Sequence, residues 1–204
     1  MAEEEVYEPA TGDLILTNTY TVLSRVATQI FLAPYGHVGI CVNLDDTPHL
    51  YSITAEHPRP RIIALKSHRS DPYVKEIVIR RLRQPLSNEK EEELKEVLAK
   101  YEDVEHPHIG HRLADIRDGH VGTSRDSDTL GDTELVRKIL EEVNMIEEHE
   151  RKPVTTHFFI PGTKGMLDKY YESTLTPYVY KNYSKEQGKN FLSKQMGQLL
   201  DMLA

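Results

Sequence analysis

Two residues able to form a thiol catalytic pair lie close together in the sequence. The chain has one cysteine, Cys41, and His37 precedes it by four residues in the strand-like run His37-Val-Gly-Ile-Cys-Val42. A cysteine attacks a carbonyl carbon as its thiolate, so it needs a base within hydrogen-bond reach. Positions 37 and 41 of one strand share a face, but their Cα atoms would be roughly 13 Å apart. Cys41 is therefore predicted to be a small buried residue, as free cysteines usually are.

A second group of polar side chains lies in the long loop-like segment 102–128. Imidazoles and carboxylates are common metal ligands, but their spacing here matches no standard zinc pattern. A calcium loop that starts at Asp126 would need a glutamate at the position that Arg137 occupies. We predict a solvated polar loop, with no metal and no cofactor. The residues considered as metal ligands are His106, His108, His111, Asp115, Asp118, His120, Asp126, Asp128 and Asp132.

The spacing of apolar residues predicts the elements that would position these side chains. Strands are predicted at 13–16, 37–42, 49–54, 61–65 and 75–82, and a further β-prone run at 154–160. Helices are predicted at 21–32, 87–101, 129–145 and 191–203, with Ser87 as a cap of the second helix. The strands are clustered rather than alternating with helices, which indicates an α+β fold and not a doubly wound α/β sheet.

Length, charge and composition exclude several classes of protein. A chain of 204 residues fits one domain, and a net charge of −8 argues against a nucleic-acid partner. Arg80-Arg81-Leu82-Arg83 is the nearest thing to a basic cluster, and we expect it to be the solvated end of a strand. No stretch approaches the ~20 apolar residues of a membrane span, and the acidic N-terminus does not resemble a secretory signal. A single cysteine fits a reducing compartment such as the cytoplasm.

Three segments of the chain form a recognisable set in this order: Thr11-Gly-Asp-Leu-Ile-Leu16, Tyr35-Gly-His-Val-Gly-Ile-Cys-Val42 and Asp132-Thr-Glu-Leu-Val136. Together they resemble the circularly permuted NlpC/P60 group of papain-like proteins, which includes bacterial YiiX/YaeF-like proteins and a papain-like protein of poxviruses. The first segment is similar to the opening "GDLI" strand of the group, and the second is similar to its "HVGI" strand, which holds the active-site histidine. The third is similar to the "CSELV" start of the helix that holds the nucleophilic cysteine.

The resemblance implies a papain-like α+β fold, with an antiparallel sheet packed against helices, and a site at three positions. His37 matches the histidine of the group. Asp132 stands at the position of the cysteine, and no cysteine follows Cys41 in the chain. Ser52 is the nearest match to the polar residue that orients the histidine, with Glu56 as a looser option. Asp132 is also a favourable residue for a helix N-terminus, which would give it a structural role.

Three functions are compatible with these residues. The first is a catalytically degenerate member of the group that acts by binding an unknown protein, peptide or lipid in its cleft, as a bacterial or viral accessory protein. The second is an active amidase, peptidase or acyltransferase that uses Asp132, Ser124, Ser127 or a recruited metal. The third is a structural or interaction protein, such as a virion component. Fold alone does not choose among them.

The same resemblance covers residues 11–165 and sets the expected domain organisation. We predict a mobile lead-in at residues 1–10, the permuted domain at 11–165, and a tyrosine-rich C-terminal extension with a short helix at 166–204. The tyrosines of this extension would either form a binding surface or pack the extension onto the domain. They are Tyr170, Tyr171, Tyr178, Tyr180 and Tyr183. A viral member would reside in the host cytoplasm or in the virion.

Overall fold

Six antiparallel strands form one sheet in a computed structural model that describes residues 7–21, 34–54, 57–106, 130–146, 156–161 and 167–180. The strand order is β4-β3-β2-β1-β5-β6, so β1 lies in the centre between β2 and β5. Strands β2, β3 and β4 follow one another as hairpins, which short connections permit only between antiparallel neighbours. The strands are β1 (Leu14–Thr19), β2 (His37–Leu44), β3 (Thr47–Ser52), β4 (Arg61–Ala64), β5 (Val74–Arg80) and β6 (Thr176–Tyr180).

Three α-helices and one 3-10 helix accompany the sheet in the described ranges. The described helices are α1 (Leu65–Ser70), α2 (Asn88–Lys100), α3 (Asp132–Glu142) and a 3-10 helix, Thr156–Phe159. The side chain of Ser87 accepts a hydrogen bond from the backbone of Lys90 and so caps α2, whose first turn is acidic. None of the helices in these ranges has the length and apolar character needed to cross a membrane.

The two faces of the sheet bury separate apolar clusters because successive side chains of a strand point to opposite faces. On β2, Val38, Ile40 and Val42 belong to the larger cluster, which also contains the buried apolar residues of α2 and α3. Cys41 belongs to a smaller cluster on the other face, which includes Leu65 of α1. Each fully buried aliphatic side chain contributes roughly 1.5 to 3 kcal/mol relative to exposure, so the larger cluster dominates the stability of the domain.

The start of β1 is fixed by a buried carboxylate. Asp13 is fully buried, and its two oxygens accept hydrogen bonds from the hydroxyl of Tyr7 and from the backbone N–H groups of Ala10 and Leu82. Burial raises the pKa of the Asp13 carboxyl, and these donated hydrogen bonds oppose that shift. The preceding Gly12 has a φ of 93°, which side chains rarely tolerate, and a Cβ there would lie 2.8 Å from Leu82 Cδ1.

The structure confirms the predicted α+β class and the five predicted strands within the sheet, with shifts of a few residues at their ends. The predicted helices at 87–101 and 129–145 are present as α2 and α3. Helix α1 and strand β6 were not predicted, and residues 167–180 contribute β6 and the buried Tyr171 to the core. The predicted helices at 21–32 and 191–203 lie almost entirely or entirely outside the described residues.

Two predictions were wrong. The β-prone run at 154–160 contains a 3-10 helix, Thr156–Phe159, where the structure describes it. Arg80 is not solvated, since it is only 1% exposed. Its guanidinium donates hydrogen bonds to the carbonyls of Phe159 and Glu172 and to the carboxylate of Asp168. These acceptors come from segments far away in sequence, so the local pattern around Arg80 contained no sign of them.

Replacement of Asp13 tests whether the "GDLI" aspartate is structural. Asp13→Ala would leave the buried N–H of Leu82 without its acceptor and remove the partners of Tyr7 and Ala10. We expect a loss of roughly 2 to 4 kcal/mol in the free energy of unfolding, measured by urea denaturation. Asp103→Ala, at an exposed aspartate, should change it by less than about 0.5 kcal/mol. Equal effects of the two substitutions would contradict the structural role of Asp13.

Candidate functional site

His37 and Asp132 meet where the first residue of β2 faces the first residue of α3. His37 pairs with Thr17 of β1, and Gly131 is the N-cap of α3 in an extended conformation. The Nδ1 atom of His37 lies 2.7 Å from the Oδ2 atom of Asp132. The two side chains are 14% and 11% exposed, so their contact is largely shielded from water. The structure therefore brings together two residues that are 95 positions apart in the sequence.

Asp132 also completes the hydrogen bonding of β2. The pairing of β2 with β3 ends at Ile40 and Tyr51. Beyond that pair, the backbone N–H of Val38 donates to Oδ2 of Asp132 at 3.1 Å. One carboxylate oxygen therefore accepts hydrogen bonds from both the backbone and the side chain of β2. This arrangement fastens the N-terminus of α3 to the sheet, and an anionic group is favourable there because of the helix dipole.

The partners of His37 determine which of its nitrogens carries the proton. The carboxylate of Asp132 only accepts, so a neutral imidazole donates from Nδ1, and its Nε2 then carries a lone pair. Nε2 is buried and has no hydrogen-bond partner among the residues that the structure describes. An unpaired buried polar atom of this kind costs about 1 to 3 kcal/mol. Such atoms are uncommon in folded proteins, and an ordered water or an ion is one explanation for them. The described residues contain three others, the Nε atoms of Arg61, Arg81 and Arg137.

Ser52, the predicted third residue, lies in the last position of β3 and is 3% exposed. No hydrogen bond joins it to His37 in the described part of the chain, and its orienting role stays a prediction. A Cβ atom added at Gly39 would lie 3.2 Å from the Cβ atom of Ser52 and 2.6 Å from the carbonyl oxygen of Tyr51. The glycine of the "HVGI" strand is therefore required by packing against β3.

Cys41 has the buried position that the sequence predicted. It is fully buried in the smaller cluster, and burial raises the pKa of its thiol well above the ordinary range. A buried thiol with a raised pKa carries almost no thiolate at neutral pH, so it is a poor nucleophile. Its sulfur lies 3.9 Å from Oδ1 of Asn43, a residue of the same strand.

Most of the predicted polar loop lies outside the described residues, which resume at 130 after 106. Ser124 and Ser127, the serines considered as nucleophiles, are in that segment, and Glu56 is also undescribed. His106 is described, and its backbone N–H donates to the carbonyl of Pro58. Within the described ranges, no three histidine, cysteine or acidic side chains are grouped as metal ligands would be.

A second polar pair close to β1 was not predicted from the sequence. Oγ1 of the fully buried Thr17 lies 3.2 Å from Nε2 of His68. His68 belongs to α1, a six-residue helix whose pattern is too short to be recognised. An open concavity beside α1 is lined by Lys66, Ser67, Ser70, Asp71, Pro72 and Tyr73, and neither His37 nor Asp132 contributes to it.

The two hydrogen bonds of Asp132 predict its effect on stability. Asp132→Ala would leave the Val38 N–H and His37 Nδ1 without their acceptor, and we expect a loss of roughly 2 to 4 kcal/mol in urea denaturation. Asp132→Asn keeps an acceptor oxygen of the same shape and should lose less than half of that amount. If Asp132→Ala were as stable as Asp103→Ala, the hydrogen bonds of the Asp132 carboxylate to β2 would not stabilise the packing of α3 on the sheet.

Comparison with known proteins identifies a solved structure with a similar fold. No model of a known protein family matches this sequence, and no curated protein does. Among solved structures, the crystal structure of "metalloprotein yiiX from Escherichia coli O157:H7, DUF1105" matches with a TM-score of 0.56. The sequence identity is 18%, and the match covers 72% of each chain. YiiX is a member of the YiiX/YaeF group of the papain-like NlpC/P60 superfamily. The chain is thus an α+β protein with a papain-like fold similar to that of yiiX.

Proposed function

We propose that this chain is a catalytically degenerate protein of the permuted NlpC/P60 type and that it acts by binding a ligand at the His37–Asp132 site. The observation that carries the proposal is the 2.7 Å contact between Nδ1 of His37 and Oδ2 of Asp132. In the group that the sequence resembles, a cysteine at the start of this helix faces the histidine. Here a carboxylate occupies that position and is bonded to the imidazole that would activate a nucleophile.

The chemistry of the pair argues against covalent catalysis. A histidine base activates a thiol or a hydroxyl by removing its proton, and an ionised carboxylate has no proton to remove. A free carboxylate can itself attack, but Oδ2 of Asp132 is already engaged by both His37 and Val38. Cys41, the one cysteine of the chain, is fully buried. The contacts at the site therefore support binding rather than acyl transfer.

A metal-dependent hydrolase is the second candidate, and one observation favours it. Nε2 of His37 is buried and has no hydrogen-bond partner within the described residues, whereas the other ring nitrogen, Nδ1, is hydrogen-bonded to Asp132. Histidine ligands of metals commonly have their second nitrogen bonded to a carboxylate in this way. The structurally similar yiiX protein is itself called a metalloprotein. Ester hydrolysis that a chelator abolishes and zinc restores would favour this candidate over binding alone.

Labelling with an acylating probe tests the main proposal. The protein would be incubated with an alkyne-tagged p-nitrophenyl ester, and the attached label would be measured by mass spectrometry. We expect native protein and His37→Ala to show the same low labelling, because the group bonded to His37 is the carboxylate of Asp132, which has no proton for the imidazole to remove. His49→Ala is the matched control, because His49 is a partly exposed strand histidine whose Nδ1 lies 2.8 Å from the carbonyl oxygen of Thr47. Labelling that requires His37 but not His49 would refute the degenerate assignment.

Restoring a thiol tests whether the site has the geometry of a thiol enzyme. Asp132→Cys would place a thiol at a helix N-terminus beside His37, where both features lower a thiol pKa. We expect the introduced thiol to react with iodoacetamide at pH 7 at least about tenfold faster than an ordinary cysteine. The same substitution combined with His37→Ala should be markedly slower.

Cys41 serves as an internal reference in this experiment, because its burial should keep it unmodified until the protein is unfolded. Circular dichroism would establish that the variant is folded. A folded variant whose introduced thiol reacts at an ordinary rate, with or without His37, would show that position 132 is not related to a nucleophile position.

A further inference from the structure

We propose that Asn18 of β1 is a positioning residue of the His37–Asp132 site, because its side-chain amide holds the backbone that leads into His37. The inference rests on the proposed function in taking this pair as the site. It follows from the way in which the two ends of β2 are fixed, from the hydrogen bonds of the Asn18 amide, and from the place of His37 directly after the backbone that this amide binds.

The two ends of β2 are fixed by different means. At its C-terminal end, Asp45 and Asp46 connect β2 to β3 with positive φ angles of 49° and 57°, as in a tight two-residue hairpin turn. Such a turn determines the register of the strands that it joins. At the N-terminal end, residues 20–36 separate β1 from β2, and no tight turn determines where the chain re-enters the sheet. The start of β2, which bears His37, therefore needs another anchor.

The side-chain amide of Asn18 supplies this anchor. Its Nδ2 group donates to the carbonyl oxygen of Pro34 at 2.7 Å and to Oε2 of Glu76 on β5 at 3.2 Å. Its Oδ1 atom accepts from the backbone N–H of Gly36 at 3.1 Å. Because a carbonyl only accepts and a backbone N–H only donates, these contacts determine the orientation of the amide. The amide thus binds the backbone on both sides of position 35, directly before His37.

A second side chain holds the backbone at position 35. Oγ1 of Thr156, which is 5% exposed, donates to the carbonyl oxygen of Tyr35 at 2.6 Å. The N–H of Gly36 also lies 3.2 Å from the carbonyl oxygen of Thr17, the residue that pairs with His37. The chain just before β2 is therefore held both from β1 and from the 3-10 helix.

The consequence for the site follows from the position of His37. His37 and Val38 are the first two residues of β2, and both contact the same Oδ2 atom of Asp132. A shift of the chain before β2 would move the imidazole and the Val38 N–H away from that oxygen. Asn18→Leu keeps the branched shape of asparagine and removes its hydrogen bonds, so it should loosen the site while the sheet remains folded.

Nuclear magnetic resonance of the isotopically labelled full chain tests this role. The ring resonances of His37, assigned from their loss in His37→Gln, would be recorded with and without Asp132→Asn, in the native background and in Asn18→Leu. We expect Asp132→Asn to displace these resonances less than half as far in the Asn18→Leu background, because the ring is no longer held against position 132. Asn43→Leu is the matched control, at a partly exposed asparagine near the other end of β2. An equal reduction in this control would contradict the inference.

Amide hydrogen exchange separates a positioning role from a loss of global stability. The N–H of Val38 is bonded to Asp132, and the N–H of Cys41 in the same strand is bonded to the carbonyl of Asp13. We expect Asn18→Leu to accelerate the exchange of Val38 at least about threefold more than that of Cys41. A global loss of stability would accelerate both to the same extent.

Two results would overturn the proposal: equal acceleration of the two N–H groups, or an undiminished response of His37 to Asp132→Asn. If Asn18→Leu does not fold, Asn18→Asp serves for the same measurements. This variant keeps an acceptor for the Gly36 N–H but has no donor for the carbonyl of Pro34. Each response is a difference within one background, so the added charge does not enter the comparison.

The outcome is separable from that of the proposed function. An unreactive protein in which Asn18→Leu leaves His37 in place would retain the degenerate assignment and lose only the positioning role. Conversely, acylation that requires His37 would refute the degenerate assignment even if Asn18 were shown to hold the ring in position.

Discussion

The carboxylate of Asp132 is the interaction on which the described site depends. One of its oxygens accepts from the imidazole of His37 and from the backbone of Val38, so a single atom joins the first residue of α3 to the first two residues of β2. The contact sets the orientation of the ring and lies beyond the last pair between β2 and β3. It also gives α3 an anionic group at its N-terminus, where the helix dipole favours one. Local structure, packing and the state of the histidine are therefore coupled through one side chain.

Residues of the "GDLI" segment support this contact indirectly, because they fix the start of β1, the strand that pairs with β2. Asp13 binds the N–H of Leu82 and thereby ties the start of β1 to the chain just beyond β5. The hydroxyl of Tyr171 donates to the carbonyl of Gly12, so the C-terminal part of the described chain is held at the same corner. β1 in turn pairs with β2 over four residues, from Leu14 to Thr17. The "GDLI" segment thus positions the strand that carries His37 without taking part in its chemistry.

Patterns of local origin in the sequence predicted the fold well. Alternating apolar residues located β2 and β5, and a serine before an acidic turn located the start of α2. The failures have non-local causes. Arg80 resembled a solvated residue because its acceptors lie 79 to 92 positions away. The 3-10 helix from Thr156 to Phe159 contains the fully buried Phe159, and its burial in the larger cluster outweighs the β propensity of the run.

The site was predictable only in part for the same reason. His37 and Asp132 were both named from a family resemblance, whereas no spacing rule connects residues 95 positions apart. The role of Val38 was not visible, because a backbone N–H carries no sequence signal. Ser52 was named by position on its strand, and the structure places it opposite Gly39, near a close packing contact.

A carboxylate and a thiol at position 132 would make different demands on the same geometry. A nucleophile in a catalytic pair must keep its attacking atom free, and such sites commonly lower stability because a polar group remains poorly satisfied. The carboxylate at position 132 has two donors on its Oδ2 atom, so it contributes stability where a reactive thiol would not. Within the pair, the polar atom that has no partner among the described residues is Nε2 of His37. In this chain the side chain at position 132 therefore makes a structural contact between α3 and β2.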